Sequence, residues 1–395
     1  MASAYATTQA IVAYPPEKGK RQWRLEDIEL TQPEDDEAIV ETWVAHPRRM
    51  GRRAFQSLHT LALLVMKARL FQVPYCRMSP TDNITGAGYV KSAGNKVLKV
   101  KPGDAVLLSF AFCTQCHNCK FGAPGYCESF NKINFTGCST SFSNSGTRRI
   151  PVGGSFFGQS SFSRLARVKQ TSIVNVTRLV NSKDELKMLA PLGCGIQTGA
   201  GTITKLAAAT QDDTVAVIGL GGVGLAAVMA AKIIGCRTII GIDRVPSRLD
   251  LAQSLGATHT VNTANITNTL TEEIRNRTGG PGSTITVDAT GVVPLIEQGL
   301  EFTAKQGQMI LLGVAPMDAS LDLPIMPHMV SGKKLLGSME GGVYPEDYIP
   351  QLIQWYHEGR FPLEKLIKTY DVKDFELAVK DMEDGTTIKP ILIWS

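Results

Sequence analysis

The chain has 395 residues, of which 43% are hydrophobic and 19% charged, so it can bury a large core and is expected to form two domains in one subunit. Its formal net charge is +5, but this basicity belongs to the segment 43–85, which carries seven Lys or Arg residues and one Asp. No nucleic-acid motif or aromatic-interleaved basic stripe accompanies that charge, so the composition argues against a nucleic-acid partner.

The first half of the chain predicts a β-rich domain. Residues 1–42 have the pattern of short strands around a turn rich in Pro, Glu and Asp, and residues 86–110 predict strands joined by tight turns. The N-terminus lacks the apolar run of a signal peptide and the cysteines are clustered, which favours a reducing, cytoplasmic setting. The longest apolar stretch, residues 215–235, contains five glycines in a strand-and-helix pattern, so a membrane span is not expected.

From about Ser182 the pattern changes to strands alternating with helices. The segments VAVIG, TIIGID, TITVDAT and GQMILLGV predict strands, and helical patterns lie between them. Such alternation is typical of a parallel, doubly wound sheet. The expected fold class is therefore α/β, with a β-rich domain followed by a doubly wound parallel sheet.

A glycine-rich turn is set between the strand VAVI and the helix LAAVMAAKIIG. Glycine there permits a tight turn and lets backbone N–H groups approach a pyrophosphate at the helix N-terminus, with a purely structural turn as the alternative. Asp243 ends the next strand and favours NAD over NADP, because its carboxylate would repel a 2′-phosphate; Arg244 and Arg248 weaken that preference. The residues expected to contact the cofactor are Gly219, Gly221, Gly222, Val223, Gly224, Asp243 and Arg248.

Four cysteines lie close together in CTQCHNCKFGAPGYC. Their C-x2-C-x2-C-x7-C spacing suits a closed tetrahedral zinc site, whereas an iron–sulfur cluster is the poorer alternative and four unligated thiols would need a reason. Four protein ligands leave no open coordination position, so this zinc would hold a lobe together and would not catalyse. The expected ligands are Cys113, Cys116, Cys119 and Cys127.

These motifs, in this order, resemble those of the zinc-dependent medium-chain alcohol dehydrogenases, most closely the aryl-alcohol (benzyl-alcohol type) branch. The resemblance is carried by GAGYVKSAG, KPGDAVLLSFAFCTQC, FFGQSSFS, APLGCGIQTGAG, DRVPSRLDLAQSLGATH and YIPQLIQWYHEGRFP. It implies a GroES-like catalytic domain over 1–181 and 339–395 and a Rossmann NAD-binding domain over 182–338. It also implies a homo-oligomer, either a dimer or a tetramer, and hydride exchange between a primary alcohol and NAD.

The resemblance assigns roles to further residues. Thr198 would begin the helix beneath the cofactor, while Gly291, Gly313 and Val314 would line the nicotinamide side of the cleft; strand-end turns are the alternative. The substrate would be a small alcohol or aldehyde. Residues that could wall an aromatic substrate pocket, each equally compatible with a place in the core, are Phe157, Phe162 and Tyr348.

The sequence departs from the family at the second, catalytic zinc. The family takes its ligands from a Cys-His-Thr-Asp motif, a Gly-His-Glu motif and a later cysteine, of which only the last is present, as Cys194. Ile84 and Thr85 occupy the positions of the His-Glu pair. Because a catalytic zinc ordinarily needs three protein ligands, Cys194 alone cannot hold it. Residues that could be recruited in principle are His46, His59 and Cys76.

The segment 43–85 resembles nothing in the family and has two interpretations. As a reading-frame error, it would contain an unspliced intron of 55 nucleotides, from the Ala68 codon to the first base of the Gly86 codon, whose removal gives Leu-Gly-His-Glu-Gly-Ala-Gly. A spliced transcript with that reading would establish this hypothesis, and a transcript matching the printed sequence would refute it. A mistranslated segment was never selected to pack against the rest of the lobe, so it should form an irregular insert on the catalytic domain. As a genuine sequence, the segment instead implies a chain without the catalytic zinc.

Three functions follow from these alternatives. With the zinc motif intact, the gene encodes an NAD-linked alcohol dehydrogenase or aldehyde reductase of aromatic or allylic primary alcohols, in which zinc polarises the alcohol oxygen. As printed, the chain could instead be a zinc-free reductase of conjugated alkenes or imines, and in that case no alcohol oxidation is expected. The third alternative is a non-catalytic structural-zinc protein.

Overall fold

The computed structural model describes residues 4–17, 20–47, 83–135, 139–144 and 151–394. Most of the segment 43–85, including His59 and Cys76, lies outside the described residues, as do the side chains of His46 and Ile84. The two ends of that segment, residues 43–47 and 83–85, belong to neighbouring antiparallel strands. The expectation of an irregular insert therefore does not extend to the ends of the segment.

The described strands and helices agree with an α/β fold. In chain order the strands are β1 (Ala4–Glu17), β2 (Lys20–Thr31), β3 (Glu37–Pro47), β4 (Asn83–Ala93), β5 (Ala105–Leu108), β6 (Ser139–Asn144), β7 (Pro151–Gly154), β8 (Leu165–Lys169), β9 (Ile173–Asn175), β10 (Thr214–Ile218), β11 (Thr238–Asp243), β12 (His259–Asn262), β13 (Ser283–Asp288), β14 (Thr303–Leu311), β15 (Lys334–Gly337), β16 (Ile367–Asp371) and β17 (Lys389–Ile393).

The helices fall mainly in the second half of the chain. They are α1 (His117–Lys120), α2 (Phe130–Asn134), α3 (Lys183–Leu189), α4 (Gly195–Gly201), α5 (Gly222–Ile234), α6 (Pro246–Leu255), α7 (Leu270–Arg277), α8 (Val293–Phe302), α9 (Ile325–Ser331), α10 (Pro345–His357) and α11 (Phe375–Asp384). Among the described residues, no helix is both long and apolar enough to cross a membrane.

Two sheets form the β-rich lobe. One has the strand order β1-β2-β6-β7, and the other has the order β16-β17-β3-β4-β5-β9, with β8 beside β3. Pairing of β17 with β3 returns the C-terminal part of the chain to this lobe. Residues of β1 to β3 are buried in a core of aliphatic and aromatic side chains, and runs such as Ala10–Val12 and Ala38–Val40 are buried at successive positions, so both faces of these strands are covered there.

The other lobe is a six-stranded parallel sheet in the order β12-β11-β10-β13-β14-β15. Strand order reverses between β10 and β13, so a crevice opens there at the carboxyl ends of the strands, where ligands bind in such folds. β10 reads TVAVI, and four of its five residues are buried, because helices cover both faces of a parallel sheet. The predicted doubly wound sheet is therefore confirmed.

The helix α5 and the short helix α4 join the two lobes. Every residue of α5 from Gly224 to Ala231 is buried, and the helix ends at Gly235, whose φ of +86° gives a left-handed cap. A Cβ on Gly199 of α4 would lie only 2.0 Å from the carbonyl oxygen of Val223. The two helices therefore touch backbone to backbone, and this contact fixes α4 relative to the glycine turn.

Candidate active site

The glycine-rich turn after β10 is closed on its inner side and open on its outer side. Gly219 has a φ of +91°, in the left-handed region that favours glycine. A Cβ on Gly224 would lie 1.9 Å from the carbonyl oxygen of Gly219, whereas a Cβ on Gly221 would meet nothing within 4 Å. Such a turn leaves room for a pyrophosphate at the N-terminus of α5.

Asp243 ties the glycine turn to the end of β11. Its Oδ2 accepts the N–H of Leu220 at 2.8 Å, and its Oδ1 accepts those of Arg244 and Val245 at 2.7 and 3.0 Å. Arg248 Nη1 lies 3.8 Å from Oδ2. Because Oδ1 already has two donors, Oδ2 is the oxygen with capacity left for a ribose hydroxyl.

A cleft of about 540 Å³ lies between the lobes. Its size is within the range of small-molecule sites. Its walls are formed by residues of the parallel-sheet lobe, by α4, by Thr85 of β4 and by the C-terminal residues Thr387 and Lys389. The predicted site residues that line it are Cys194, Gly219, Gly221, Gly222, Val223, Gly224, Asp243, Arg248, Gly313 and Val314.

Thr198 and Gly291 support the cleft without lining it. The hydroxyl of Thr198 donates to the carbonyl oxygen of Cys194 at 2.9 Å, one turn earlier in α4. Gly291 has a φ of +69° and its N–H donates to Asp288 Oδ2 at 2.9 Å. A Cβ on Gly313 would lie 2.0 Å from the nitrogen of Gly291, so the loops after β13 and β14 meet backbone to backbone.

Lys389, at the start of β17, was not predicted as a site residue. Its side chain crosses the front of the glycine turn: its Cε lies 2.2 Å from where a Cβ on Gly222 would stand, and its Nζ lies 2.9 Å from the corresponding position on Gly195. The residue is only 8% exposed. A buried ammonium group beside an N-terminal helix turn is suited to an anionic ligand.

Cys194 is buried between α3 and α4 and faces a carboxylate. Its Sγ lies 3.4 Å from Glu340 Oε1. The other oxygen, Oε2, accepts from Gln197 Nε2 at 3.2 Å and lies 3.5 Å from the Thr198 hydroxyl. Glu340 was not predicted from the sequence, and the described residues offer Cys194 no third Cys, His, Asp or Glu within metal-ligand reach.

Thr85 lies beside Cys194 in the wall of the cleft. Its Cγ2 is 3.3 Å from where a Cβ on Gly193 would stand, and its carbonyl oxygen accepts from the Ser161 hydroxyl at 3.0 Å. Position 85 is therefore next to the cysteine. The resemblance places the glutamate of the family's Gly-His-Glu motif at position 85. Threonine at this position supplies no carboxylate to the site.

The four clustered cysteines form a separate metal site. The Sγ atoms of Cys113, Cys116, Cys119 and Cys127 all lie within 4.8 Å of one another, as the ligands of one tetrahedral zinc do. Hydrogen bonds from the backbone N–H groups of Cys119 and Glu128 lower the pKa of Cys116 to about 6, whereas burial raises the pKa of Cys119 and Cys127. These four residues fit a closed structural zinc.

Removal of this zinc is expected to loosen the turn that carries Glu340. The hydroxyl of Tyr126 donates to the carbonyl oxygen of Gly337 at 2.9 Å, and Gly125 packs against Met339. A Cys113→Ser variant should therefore lose one zinc per chain and unfold several degrees lower, while NADH binding at the glycine turn is kept. Metal analysis, thermal unfolding and NADH fluorescence check this; full zinc content in the variant would contradict it.

The aromatic residues proposed for a substrate pocket lie in three different places. Phe157 packs in one cluster with Cys194 and with the phenylalanines near the cysteine site. Phe162 belongs to the core of the β-rich lobe, and Tyr348 to the core between the lobes, where its hydroxyl lies 2.7 Å from that of Thr204. Phe162 and Tyr348 are therefore core residues, and only Phe157 lies in the cluster that includes Cys194.

The fold and the site define a two-domain, nucleotide-dependent dehydrogenase. The family model of the alcohol dehydrogenase GroES-like domain matches residues 65–178, so the match begins inside the segment 43–85. The family model of zinc-binding dehydrogenases matches residues 222–358. The chain is 33% identical to geraniol dehydrogenase of Castellaniella defragrans, over 78% of this chain and 82% of that enzyme.

Comparison with solved structures also finds alcohol dehydrogenases. Benzyl alcohol dehydrogenase of Acinetobacter calcoaceticus has a TM-score of 0.83 and 31% identity, covering 99% of this chain and 100% of that one. A zinc-binding alcohol dehydrogenase domain protein of Burkholderia ambifaria has a TM-score of 0.84 and 31% identity, covering 99% of both chains. The chain belongs to the zinc-containing medium-chain alcohol dehydrogenase family. It is therefore an oxidoreductase acting on CH–OH groups, with zinc and NAD as the family's cofactors.

Proposed function

We propose that the chain exchanges a hydride between NAD and a primary alcohol or aldehyde whose carbinol carbon is benzylic or allylic. The names of its relatives, geraniol dehydrogenase and benzyl alcohol dehydrogenase, support this class of substrate. The observation that carries the proposal is the single cleft that contains the glycine turn, Asp243 and Cys194. Cofactor and reacting carbon would meet where these elements share one cavity.

Some residues of the cleft would bind the cofactor, and others would act on the substrate. The N–H groups of the glycine turn and the ammonium of Lys389 would hold the pyrophosphate, and Asp243 Oδ2 would accept from the ribose. Gly313 and Val314 would place the nicotinamide at the carboxyl ends of the strands. In the family a zinc ion polarises the alcohol oxygen at this point; of its protein ligands the described residues supply Cys194, and one thiolate does not hold the ion by itself.

An assay of the full chain separates this proposal from the two alternatives. Formation of NADH from benzyl alcohol and geraniol is expected. Oxidation of NADH by conjugated alkenes or imines, without alcohol oxidation, would instead identify a zinc-free reductase. NADH binding with neither reaction would identify a non-catalytic protein. The relatives favour the alcohol dehydrogenase, and the proposal therefore replaces the sequence-based expectation that the chain as printed would not oxidise alcohols.

Asp243 is expected to set the preference for NAD. In Asp243→Ala the carboxylate that would accept from the ribose and repel a 2′-phosphate is lost, so the Kd for NADH should rise roughly tenfold, about 1.4 kcal/mol, with a smaller change for NADPH. Fluorescence titration with both dinucleotides measures the two values. Asp243→Asn removes the charge but keeps part of the backbone hydrogen bonding, since its one amide oxygen can still accept from Arg244 and Val245 while the acceptor for Leu220 is lost. Equal losses for NADH and NADPH would argue that the carboxylate does not contact the ribose.

We also propose that the chain forms a homodimer or homotetramer through the outer edge of the Rossmann sheet. Among the described strands, β15 pairs with β14 alone, and the neighbouring helix α9 has no buried residue. This surface exposes Met317, Ile325, Met326, Met329 and Val330. Exposed apolar patches of this kind mark protein–protein contacts. Light scattering of Ile325→Lys should give a smaller particle than the unsubstituted chain.

We also propose that the chain lies in the cytoplasm. This proposal is supported by the cysteines, since the six in the described part of the chain form no disulfide with one another.

A further inference from the structure

Two buried side chains of opposite charge reach the start of α4, at Cys194 and Gly195. Lys389 lines the cleft together with these two residues, and it is 8% exposed. Glu340 is 3% exposed and contacts Cys194 from the turn after β15. Both charges are therefore largely shielded from water, and charges shielded in this way act on a bound ligand more strongly than exposed ones do.

The ammonium of Lys389 lies between the glycine turn and the first residue of α4. The backbone of Lys389 is fixed in the sheet, because its N–H donates to the carbonyl oxygen of Leu366 at 2.9 Å and β17 pairs with β16. From there the side chain passes in front of Gly222, and its Nζ lies 2.9 Å from where a Cβ on Gly195 would stand. The positive charge therefore lies beside the residue that directly follows Cys194.

The carboxylate of Glu340 is held next to Cys194 by close packing. Its Oε1 lies 3.4 Å from Cys194 Sγ, and its Oε2 accepts from Gln197 Nε2 at 3.2 Å. A Cβ on Gly341 would lie 2.6 Å from the carbonyl oxygen of Gln197, so the turn that carries Glu340 is pressed against α4. Hydrogen bonds donated to a carboxylate favour its charged form. The negative charge is therefore also fixed at the start of α4.

The two forms of the dinucleotide differ in charge at only one place. The nicotinamide ring is positively charged in NAD⁺ and neutral in NADH, because the transferred hydride neutralises it, whereas the pyrophosphate has the same charge in both forms. Coulomb energy falls with distance, so a protein charge near the ring acts differently on the two forms. A protein charge near the adenosine end acts almost equally on both. Charges near a cofactor's reactive ring are one means by which a protein tunes its chemistry.

We propose that Lys389 and Glu340 set, in opposite directions, the relative affinity of the cleft for NAD⁺ and NADH. The ammonium disfavours the positively charged ring and so favours reduction of the bound dinucleotide, while the carboxylate of Glu340 favours the oxidised form. This inference rests on the proposed function, which places the nicotinamide at the Cys194 end of the cleft. It is separate from the contact of Lys389 with the pyrophosphate, since that contact stabilises both forms equally.

The ratio of the two dissociation constants tests this inference without any alcohol. The Kd for NADH is measured on the full chain by fluorescence, and the Kd for NAD⁺ by its displacement of NADH. In Lys389→Gln both constants should rise, but the ratio of the Kd for NAD⁺ to that for NADH should fall by about threefold to tenfold. In Glu340→Gln the same ratio should rise by a similar factor. Lys389→Arg keeps the charge and should keep the ratio.

Two further variants serve as controls. Arg248 lies beside Asp243, at the end of the cleft proposed for the adenosine ribose. Arg248→Gln also removes one positive charge, but it should change both dissociation constants by the same factor and leave their ratio as it was. Glu346 pairs with Lys99, and neither residue lines the cleft. Glu346→Gln should therefore leave both dissociation constants unchanged.

An unchanged ratio in Lys389→Gln or in Glu340→Gln would refute the role of that residue. A shift of the ratio in the same direction in both variants would refute the electrostatic explanation as a whole, because a general disturbance of the site has no reason to reverse sign. If Glu340→Gln does not fold, the lysine variants decide, since the ratio must fall in Lys389→Gln and stay constant in Lys389→Arg.

The proposed function is tested separately, by NADH formation from alcohols. Opposite shifts of the ratio without NADH formation from any alcohol would leave this inference standing and refute the activity. Alcohol oxidation together with an unchanged ratio in both variants would refute this inference and leave the activity standing.

Discussion

Alanine at Gly224 should destabilise the fold, whereas alanine at Gly221 should weaken cofactor binding at least tenfold without destabilising the fold. The two glycines lie three residues apart in the same turn but face opposite sides. A Cβ at 224 would stand 1.9 Å from the carbonyl oxygen of Gly219, so the strand and the helix must separate. Overpacking of this kind costs about 3 kcal/mol, and the melting temperature should fall by several degrees.

A Cβ at 221 meets nothing within 4 Å, and the φ of Gly221 is −79°, which alanine adopts without strain. The free energy of unfolding of Gly221→Ala should therefore stay within about 0.5 kcal/mol of the original. The added methyl group stands where the pyrophosphate approaches, so the Kd for NADH should rise at least tenfold, or about 1.4 kcal/mol. Thermal unfolding and NADH fluorescence measure both effects. Normal NADH binding by Gly221→Ala would contradict the placement of the cofactor.

Removal of the Lys389 ammonium should weaken dinucleotide binding more than any other single charge change in the cleft. A hydrogen bond to a charged partner contributes about 1.5–3 kcal/mol, so Lys389→Ala should raise the KM for NAD by about tenfold to a hundredfold. Lys389→Arg should retain most of the affinity. The loss should diminish at high salt, because part of the interaction is screened.

Lys368 provides the control for Lys389. It lies on the neighbouring strand β16, pairs with Asp381 at 2.9 Å and is largely exposed, so Lys368→Ala should leave the KM for NAD unchanged. Steady-state kinetics with NAD as the varied substrate gives the comparison. An unchanged KM in Lys389→Ala would show that the ammonium does not face the pyrophosphate.

Local motifs made part of this site predictable. The glycine turn and the four cysteines are each contained in a short stretch of chain, and the spacing itself fixes which atoms can meet. The doubly wound sheet was predictable because buried parallel strands are apolar along their whole length. The ten cleft-lining residues predicted from the sequence come largely from such contiguous stretches or from strand ends.

Lys389 and Glu340 were not predictable in this way. Lys389 reaches the cleft because β17 pairs with β3. Glu340 reaches Cys194 because the turn after β15 packs between the cysteine lobe and α4. No spacing within the chain encodes those contacts. For Phe162 and Tyr348 the sequence left a pocket and the core open, and the structure places both in the core. An aromatic residue has the same sequence pattern whether it lines a pocket or fills a core.

The most direct test of the account follows one hydrogen atom. The full chain is incubated with NAD and benzyl alcohol carrying two deuterium atoms on its carbinol carbon, and the reduced dinucleotide is analysed by mass spectrometry. Benzaldehyde and an NADH that carries one deuterium are expected, because the hydride passes directly from the alcohol carbon to the nicotinamide in the cleft. Absence of reduced dinucleotide from a chain that binds NADH, or reduced dinucleotide without deuterium, would contradict it.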